Sequence, residues 1–360
     1  MGILRVFLAL TVCLNHYFPI YKLPDSFGLG AILAVDVFFI ISGFYMALIL
    51  DKKYTGPGAV GKFYLNRFLR LYPSYYLIII AYLAVSIYLR LEKGQWIFMT
   101  EKVGIFATSG FFTRLYGVLA NLFIFGQDSL FALKFCPDTA SLCLGSAAVG
   151  SPPYPWQMLF IPQAWSIEVE LLFYLFAPLF IKWRTKTIAW MVLILLLLKI
   201  YLKTVPMMGE FWEYRFPPLE VCLFLMGILA YRMYGRLERR NIHPAYLLVV
   251  LVVFVSYMYV FQWLPGTFIK TALVYPMALM CIPLIFKLTR KIAMDRVIGE
   301  LSYPIYLMHH LVMQAVGYWY HGAHFILVPM ILTVVLSFLL HHYFLRPIEA
   351  YRQRQVYTPS

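Results

Sequence analysis

Ten stretches of this chain are too apolar for any fold that meets water on all sides. A helix needs about 20 mostly apolar residues to cross a bilayer. Such stretches run over 3–20, 28–50, 72–91, 161–181, 187–203, 217–233, 244–263, 267–287, 297–320 and 323–345. Little lies between them, so 62% of the 360 residues are hydrophobic and only 13% are charged. A soluble domain carries roughly 25% charged residues and needs a polar coat. A soluble enzyme, a disordered chain and a disulfide scaffold are therefore excluded together. In hydrocarbon the backbone must satisfy its own hydrogen bonds, which helices do segment by segment. The expected fold is all-α: a polytopic membrane protein of about ten transmembrane helices. The first stretch mimics a signal peptide, but it lacks a small-x-small cleavage site and reads as a retained helix.

Charge sets the orientation. The chain has 30 Lys and Arg against 16 Asp and Glu. With ten spans and the N-terminus in the cytoplasm, 20 of those 30 basic residues fall on the inner side, among them Arg67, Arg70, the Arg232–Arg240 cluster and Arg352. Such a bias is the mark of cytoplasmic loops. Segment 103–126 is apolar too, but Arg114 and four glycines interrupt it. As an eleventh span it would reverse every later loop, so it reads as an interfacial or re-entrant piece. The basic excess is thus mainly an orientation signal, and nucleic acid is not an expected partner; the lipid bilayer is. Both termini are expected in the cytoplasm, with one transmembrane domain over 1–350, an extracytoplasmic excursion over about 92–160 and a short tail over 351–360. Cys136 and Cys143 share that excursion and can pair if it faces an oxidising compartment. Cys13, Cys222 and Cys281 read as small buried hydrophobes.

Ionisable groups inside spans are costly and mark function by default. Arg5 and His16 are eleven residues apart on the first span, so they share a face about 16 Å apart along the axis. Asp36, on the second span, lies deep enough to meet His16 from a neighbouring helix. Ser42 and Gly43 beyond it permit close helix packing. Glu168 and Glu170 enter on the fourth span and point about 200° apart. Ser302, Tyr306 and His309 share one face of the ninth span at i, i+4 and i+7. Arg67 and Arg70, at i and i+3 beside Tyr72, suit a polyphosphate, although headgroup anchoring is the simpler account of such a pair taken alone. No metal is expected, because the adjacent His309 and His310 diverge from one helix.

Five patterns in order resemble acyltransferase family 3, bacterial membrane proteins that O-acylate surface glycans. They are Arg-x10-His (Arg5, His16), Asp-x-Phe-Phe-x-x-Ser-Gly-Phe (Asp36 to Phe44), Arg-x-x-Arg-x-x-Pro (Arg67, Arg70, Pro73), Trp-Ser-x-x-x-Glu (Trp165, Ser166, Glu170) and Ser-Tyr-x-x-Tyr-x-x-His (Ser302, Tyr303, Tyr306, His309). Each alone is unspecific; together they cover nearly the whole chain, in the manner of the stand-alone type. The resemblance implies that His16 is the catalytic histidine and that Arg67 and Arg70 face a cytoplasmic acyl donor, acetyl-CoA in most members.

These readings give one expected mechanism. Acetyl-CoA enters from the cytoplasm, its phosphates on Arg67 and Arg70 with Arg5 nearby, and Ser42, Tyr72, Ser302, Tyr303 and Tyr306 line its path. His16 acts as general base on a glycan hydroxyl held near Trp165 and Ser166. Asp36 or Glu170 orients the imidazole, with Glu168 and His309 as further candidates; a covalent acyl-histidine is a variant. The expected location is the bacterial inner membrane and the acceptor a lipid-linked or surface polysaccharide. The competing class is a polysaccharide flippase or proton-coupled transporter, which also uses intramembrane His, Asp and Glu. Transporters tend to carry paired half-repeats, and none is visible in this sequence. Acceptor sugar, acyl group and oligomeric state are left open.

Overall fold

A computed structural model describes residues 1–20, 27–145, 152–204, 211–320 and 326–357. His321 and His324 lie outside the described residues. The helices are α1 (Gly2–Ile20), α2 (Gly30–Lys52), α3 (Ala59–Lys93), α4 (Thr100–Thr108), α5 (Phe111–Phe123), α6 (Ser129–Ala132), α7 (Trp165–Phe180), α8 (Thr185–Thr204), α9 (Pro217–Leu237), α10 (Pro244–Val260), α11 (Thr267–Thr289), α12 (Ala293–Glu300), α13 (Ser302–Trp319), α14 (Leu327–Leu340) and α15 (Arg346–Tyr357). Among the described residues seven helices are long and apolar enough to cross a membrane. The other three expected spans fall on α1, α7 and α13. The protein is an all-α polytopic membrane protein. Its described strands are one hairpin, β1 (Leu133–Cys136) and β2 (Ser141–Leu144), paired antiparallel and closed by a Cys136–Cys143 disulfide.

The chain divides into two compact units. Unit 1 holds Met1–Ser74, Tyr174–Val192 and Cys222–Ser360; unit 2 holds Tyr75–Phe173 and Leu193–Val221. In unit 1 the expected close packing at Ser42-Gly43 is present. A Cβ on Gly43 would lie 2.0 Å from the Phe224 carbonyl oxygen, and one on Gly227 would lie 2.2 Å from that of Ile40. Two glycines thus let α2 and α9 cross backbone to backbone, the membrane solution to helix association. A second such crossing pairs Gly2 of α1 with Gly299 of α12, where a Cβ on Gly299 would stand 2.7 Å from the Gly2 Cα. There Asp295 accepts from the backbone N–H groups of Gly2 and Ile3 at 2.9 and 3.0 Å. It satisfies donors that every helix start leaves over. Farther along, Ala9, Cys13 and Tyr17 of α1 pack on Ile305 and Met313 of α13 in a dry core. The Tyr17 hydroxyl ties α1 to Thr333 of α14 at 3.0 Å and donates to the His309 carbonyl at 3.3 Å.

In unit 2 the ambiguous 103–126 segment is two short helices. The 13 residues of α5 reach about 20 Å, short of a hydrocarbon core of about 30 Å. Arg114, the charge that interrupted the apolar run, closes the break. Its guanidinium donates to the carbonyls of Ser109 at 2.7 Å and Ala107 at 2.9 Å, which are orphan acceptors at the end of α4.

Candidate active site

Everything at the centre of unit 1 follows from packing α1 on α13. Position 16 of α1 and position 309 of α13 meet, and Nδ1 of His16 lies 2.8 Å from Nε2 of His309. The other nitrogen of His309, Nδ1, lies 2.6 Å from the Tyr306 carbonyl oxygen. A carbonyl only accepts, so Nδ1 of His309 carries the proton and, in the neutral ring, Nε2 carries the lone pair. A cation there would be wholly buried, since His309 is 0% exposed, and would stand beside two further imidazoles. His16 therefore donates through Nδ1, and its own lone pair sits on Nε2. The tautomer of His16 is fixed by a two-ring relay that begins at a backbone carbonyl.

His310 completes a three-imidazole group. Its ring centroid is 4.9 Å from that of His16 and 5.0 Å from that of His309. The ligand atoms of the three lie within 4.8 Å of one another, a grouping the sequence could not reveal because one member comes from α1. Two nitrogens held at about 2.05 Å by one tetrahedral zinc stand roughly 3.3 Å apart. The observed 2.8 Å between His16 and His309 is the length of a hydrogen bond instead.

The expected orienter Asp36 is buried, and its carboxylate accepts from the Tyr275 hydroxyl of α11 at 2.7 Å. Ser42 and Tyr174 share a hydroxyl contact at 3.3 Å. Ser302 donates to the Gly299 carbonyl at 2.8 Å, and Tyr303 donates to the Leu71 carbonyl at 2.9 Å. Ser302, Tyr306 and His309 do form one buried face of α13.

Eleven residues from His16 on the same helix, Arg5 stands at the polar end of unit 1. Its Nη1 would lie 3.6 Å from a Cβ on Gly299. Arg67 is buried at 6% exposure, and its Nη2 donates to the Asn66 side-chain oxygen at 2.7 Å. The Arg67 guanidinium faces the rings of Tyr174 at 5.7 Å and Phe63 at 5.9 Å. Arg70 reaches Glu300 at 3.8 Å. Tyr72 stacks on Phe68, with centroids 4.6 Å apart. This end also holds Arg352 of α15, which no motif had singled out.

The remaining expected site residues belong to unit 2. Glu168 accepts from the backbone N–H groups of Gly126 at 2.7 Å and Asp128 at 2.8 Å, so its charge secures a loop. Trp165 covers the Arg215 guanidinium at 4.7 Å, together with Phe131 at 3.9 Å. Ser166 donates to the Gln163 carbonyl at 3.3 Å. Glu170 is half-buried on α7, and its separation in direction from Glu168 is as the helix period requires.

Apolar helices long enough to cross a bilayer define a membrane protein, and a hydrogen-bonded imidazole pair lies in its first unit. The chain belongs to acyltransferase family 3, whose model, described as an acyltransferase domain, matches residues 1–342. No curated protein and no solved structure matches the chain.

Proposed function

We propose that this membrane acyltransferase carries acetyl from cytoplasmic acetyl-CoA to a hydroxyl of a lipid-linked or surface polysaccharide at the bacterial inner membrane, with Nε2 of His16 as general base. The observation that supports it most directly is the relay from the Tyr306 carbonyl through His309 to His16. With His309 as acceptor, the lone pair of His16 lies on Nε2, and an imidazolium formed there keeps a neutral acceptor on its other nitrogen. In this reading His309 takes the orienting role expected of Asp36 or Glu170. The sugar hydroxyl gives its proton to His16 Nε2 as its oxygen attacks the thioester carbonyl. When the tetrahedral adduct collapses, the C–S bond breaks and the departing sulfur takes that proton. An ester and free CoA leave, and His16 returns to its starting tautomer. Arg67, Arg70 and Arg5 hold the donor phosphates, and about 16 Å of α1 separates Arg5 from His16, a span suited to an extended pantetheine arm.

The test is His16→Ala, assayed in membranes with labelled acetyl-CoA and polysaccharide. Loss of about 10²- to 10⁴-fold in transfer, with normal insertion, is expected for a general base. Transfer at the wild-type rate removes His16 from the chemistry. Glycan flux without acetyl-CoA would point to a carrier instead.

A further inference from the structure

The polar end of unit 1 has more buried positive charge than its own carboxylates answer. Arg352, on α15, is buried at 7% exposure, as deeply as Arg67 at 6%. The charges that act on Arg352 are those of Arg70, Arg67 and Glu300, so α15 returns into the cluster. Arg352 and Arg67 also act on Lys53, and Arg5 shares Glu300 with Arg70 and Arg352. Five cations thus act on one another or on one shared carboxylate. Against them stand Glu300, 3.8 Å from Arg70, and Glu349, which pairs with Arg352 from the preceding turn of α15. With the Met1 ammonium and Asp295, which pair at 2.9 Å beside Arg5, six positive and three negative charges leave a surplus of three.

Like charges are not gathered and half-dehydrated without a compensating anion. Two atoms show that compensation is incomplete: the Nε groups of Arg67 and Arg352 are buried and donate to no atom among the described residues. A guanidinium presents its donors as a planar fork suited to phosphate oxygens. The helix that brings Arg352 here is unusual in one respect. Between α14 and α15, His341–Leu345 form a π-helical stretch, a register shift that recurs at functional sites. The shift lies at the edge of the family match, which ends at residue 342, so Arg352 lies beyond it.

We propose that Arg352 is a donor-binding residue: with Arg67 and Arg70 it forms a three-guanidinium site for the phosphate groups of a nucleotide thioester. This deepens the donor reading above and rests on it. The ligand class is a polyphosphate, and an anionic lipid headgroup offers the same oxygens from another source.

The experiment uses the full-length protein in detergent, comparing Arg352→Ala, Arg352→Lys and Arg67→Ala with two donors, acetyl-CoA and acetyl-pantetheine, which lacks the phosphates. Losing one charge-assisted contact is worth about tenfold. The expected result is an acetyl-CoA KM about tenfold higher in Arg352→Ala, with kcat within twofold, partial recovery in Arg352→Lys and no change with acetyl-pantetheine. If Arg67→Ala raises the acetyl-CoA KM and Arg352→Ala does not, the role of Arg352 falls and the donor reading stands. Equal losses with both donors would make Arg352 structural and overturn the proposal. A defect cured by added phosphatidylglycerol, with KM unmoved, would assign the site to lipid and overturn it too. If no variant shifts KM, the donor reading fails and carries this one with it.

Discussion

Both units bury charge, but they use it differently. In unit 2 several buried ions are taken up by structure. Glu168 holds the 126–128 loop through two backbone N–H groups, Lys199 grips both oxygens of Glu220 at 2.6 and 2.8 Å, and Lys102 reaches the Gln157 carbonyl. In unit 1 the Nε atoms of Arg67 and Arg352 are buried without an acceptor among the described residues. Unsatisfied polar groups in a low-dielectric interior are expensive, and native folds retain them chiefly where something else is to be bound. Burial alone therefore does not single out a functional charge; the hydrogen-bond account around it does.

The comparison breaks first at His309. Replacing it with alanine removes the acceptor that fixes the His16 tautomer, and transfer is expected to fall roughly 10- to 100-fold, a share of what general-base catalysis contributes. His309→Gln offers an amide oxygen to the same N–H and should recover part of the loss. Acetyl-transfer kinetics on both variants decide it. Equal activity of the alanine and glutamine variants would leave His309 as packing and return unit 1 to the same status as unit 2.

How much of this the sequence disclosed depends on the range of each interaction. The Arg5–His16 spacing was readable because both lie on one helix of fixed rise, and so was the polar pair Arg67 and Arg70. The small-residue crossing at Gly43 was foreshadowed by composition, although its partner Gly227 was not. The His16–His309 contact was out of reach: it joins residues 293 positions apart and depends on how α1 packs against α13, which helical period does not encode. Asp36 went the same way. It is buried as expected of a polar group inside a span, but the hydroxyl that reaches it, Tyr275, comes from another helix, α11. Arg352 read as one more inner-side cation, since nothing local separates a cation that anchors a helix from one that turns into a site. The 103–126 segment was read as a non-span only from the charge of the later loops. Its apolar content suited a span, and its failure to be one rests on the break at Ser109–Gly110.

Glu168 tests the structural half of the comparison. Glu168→Gln keeps the shape but removes the charge that accepts from Gly126 and Asp128, and about 2 kcal/mol of stability should go with it. Thermal unfolding of the purified protein reads this as a lower Tm, while transfer per folded molecule stays close to wild type. Abolished transfer at an unchanged Tm would give Glu168 a chemical role and erase the contrast between the units.

The smallest effect concerns Asp128, next to Glu168 and fully withdrawn from water. Burial raises its carboxyl well above the usual carboxylate range, and the neighbouring Glu168 charge adds to this while Arg215 opposes it. Among the described residues neither oxygen of Asp128 has a hydrogen-bond donor, which suits a protonated acid giving its own proton to Glu168. The folded protein then binds a proton that the unfolded chain releases near the ordinary carboxylate pKa of about 4. Stability from this group is complete below that pH and is lost as pH rises through the higher, native value. Asp128→Asn keeps a donor toward Glu168 and does not titrate. Between pH 5 and pH 8 the wild-type Tm should fall by a few degrees more than that of Asp128→Asn, with the variant the more stable of the two at pH 8. Parallel curves would mean that Asp128 is ionised and its charge answered within the fold, as that of Glu168 is by the backbone N–H groups of Gly126 and Asp128.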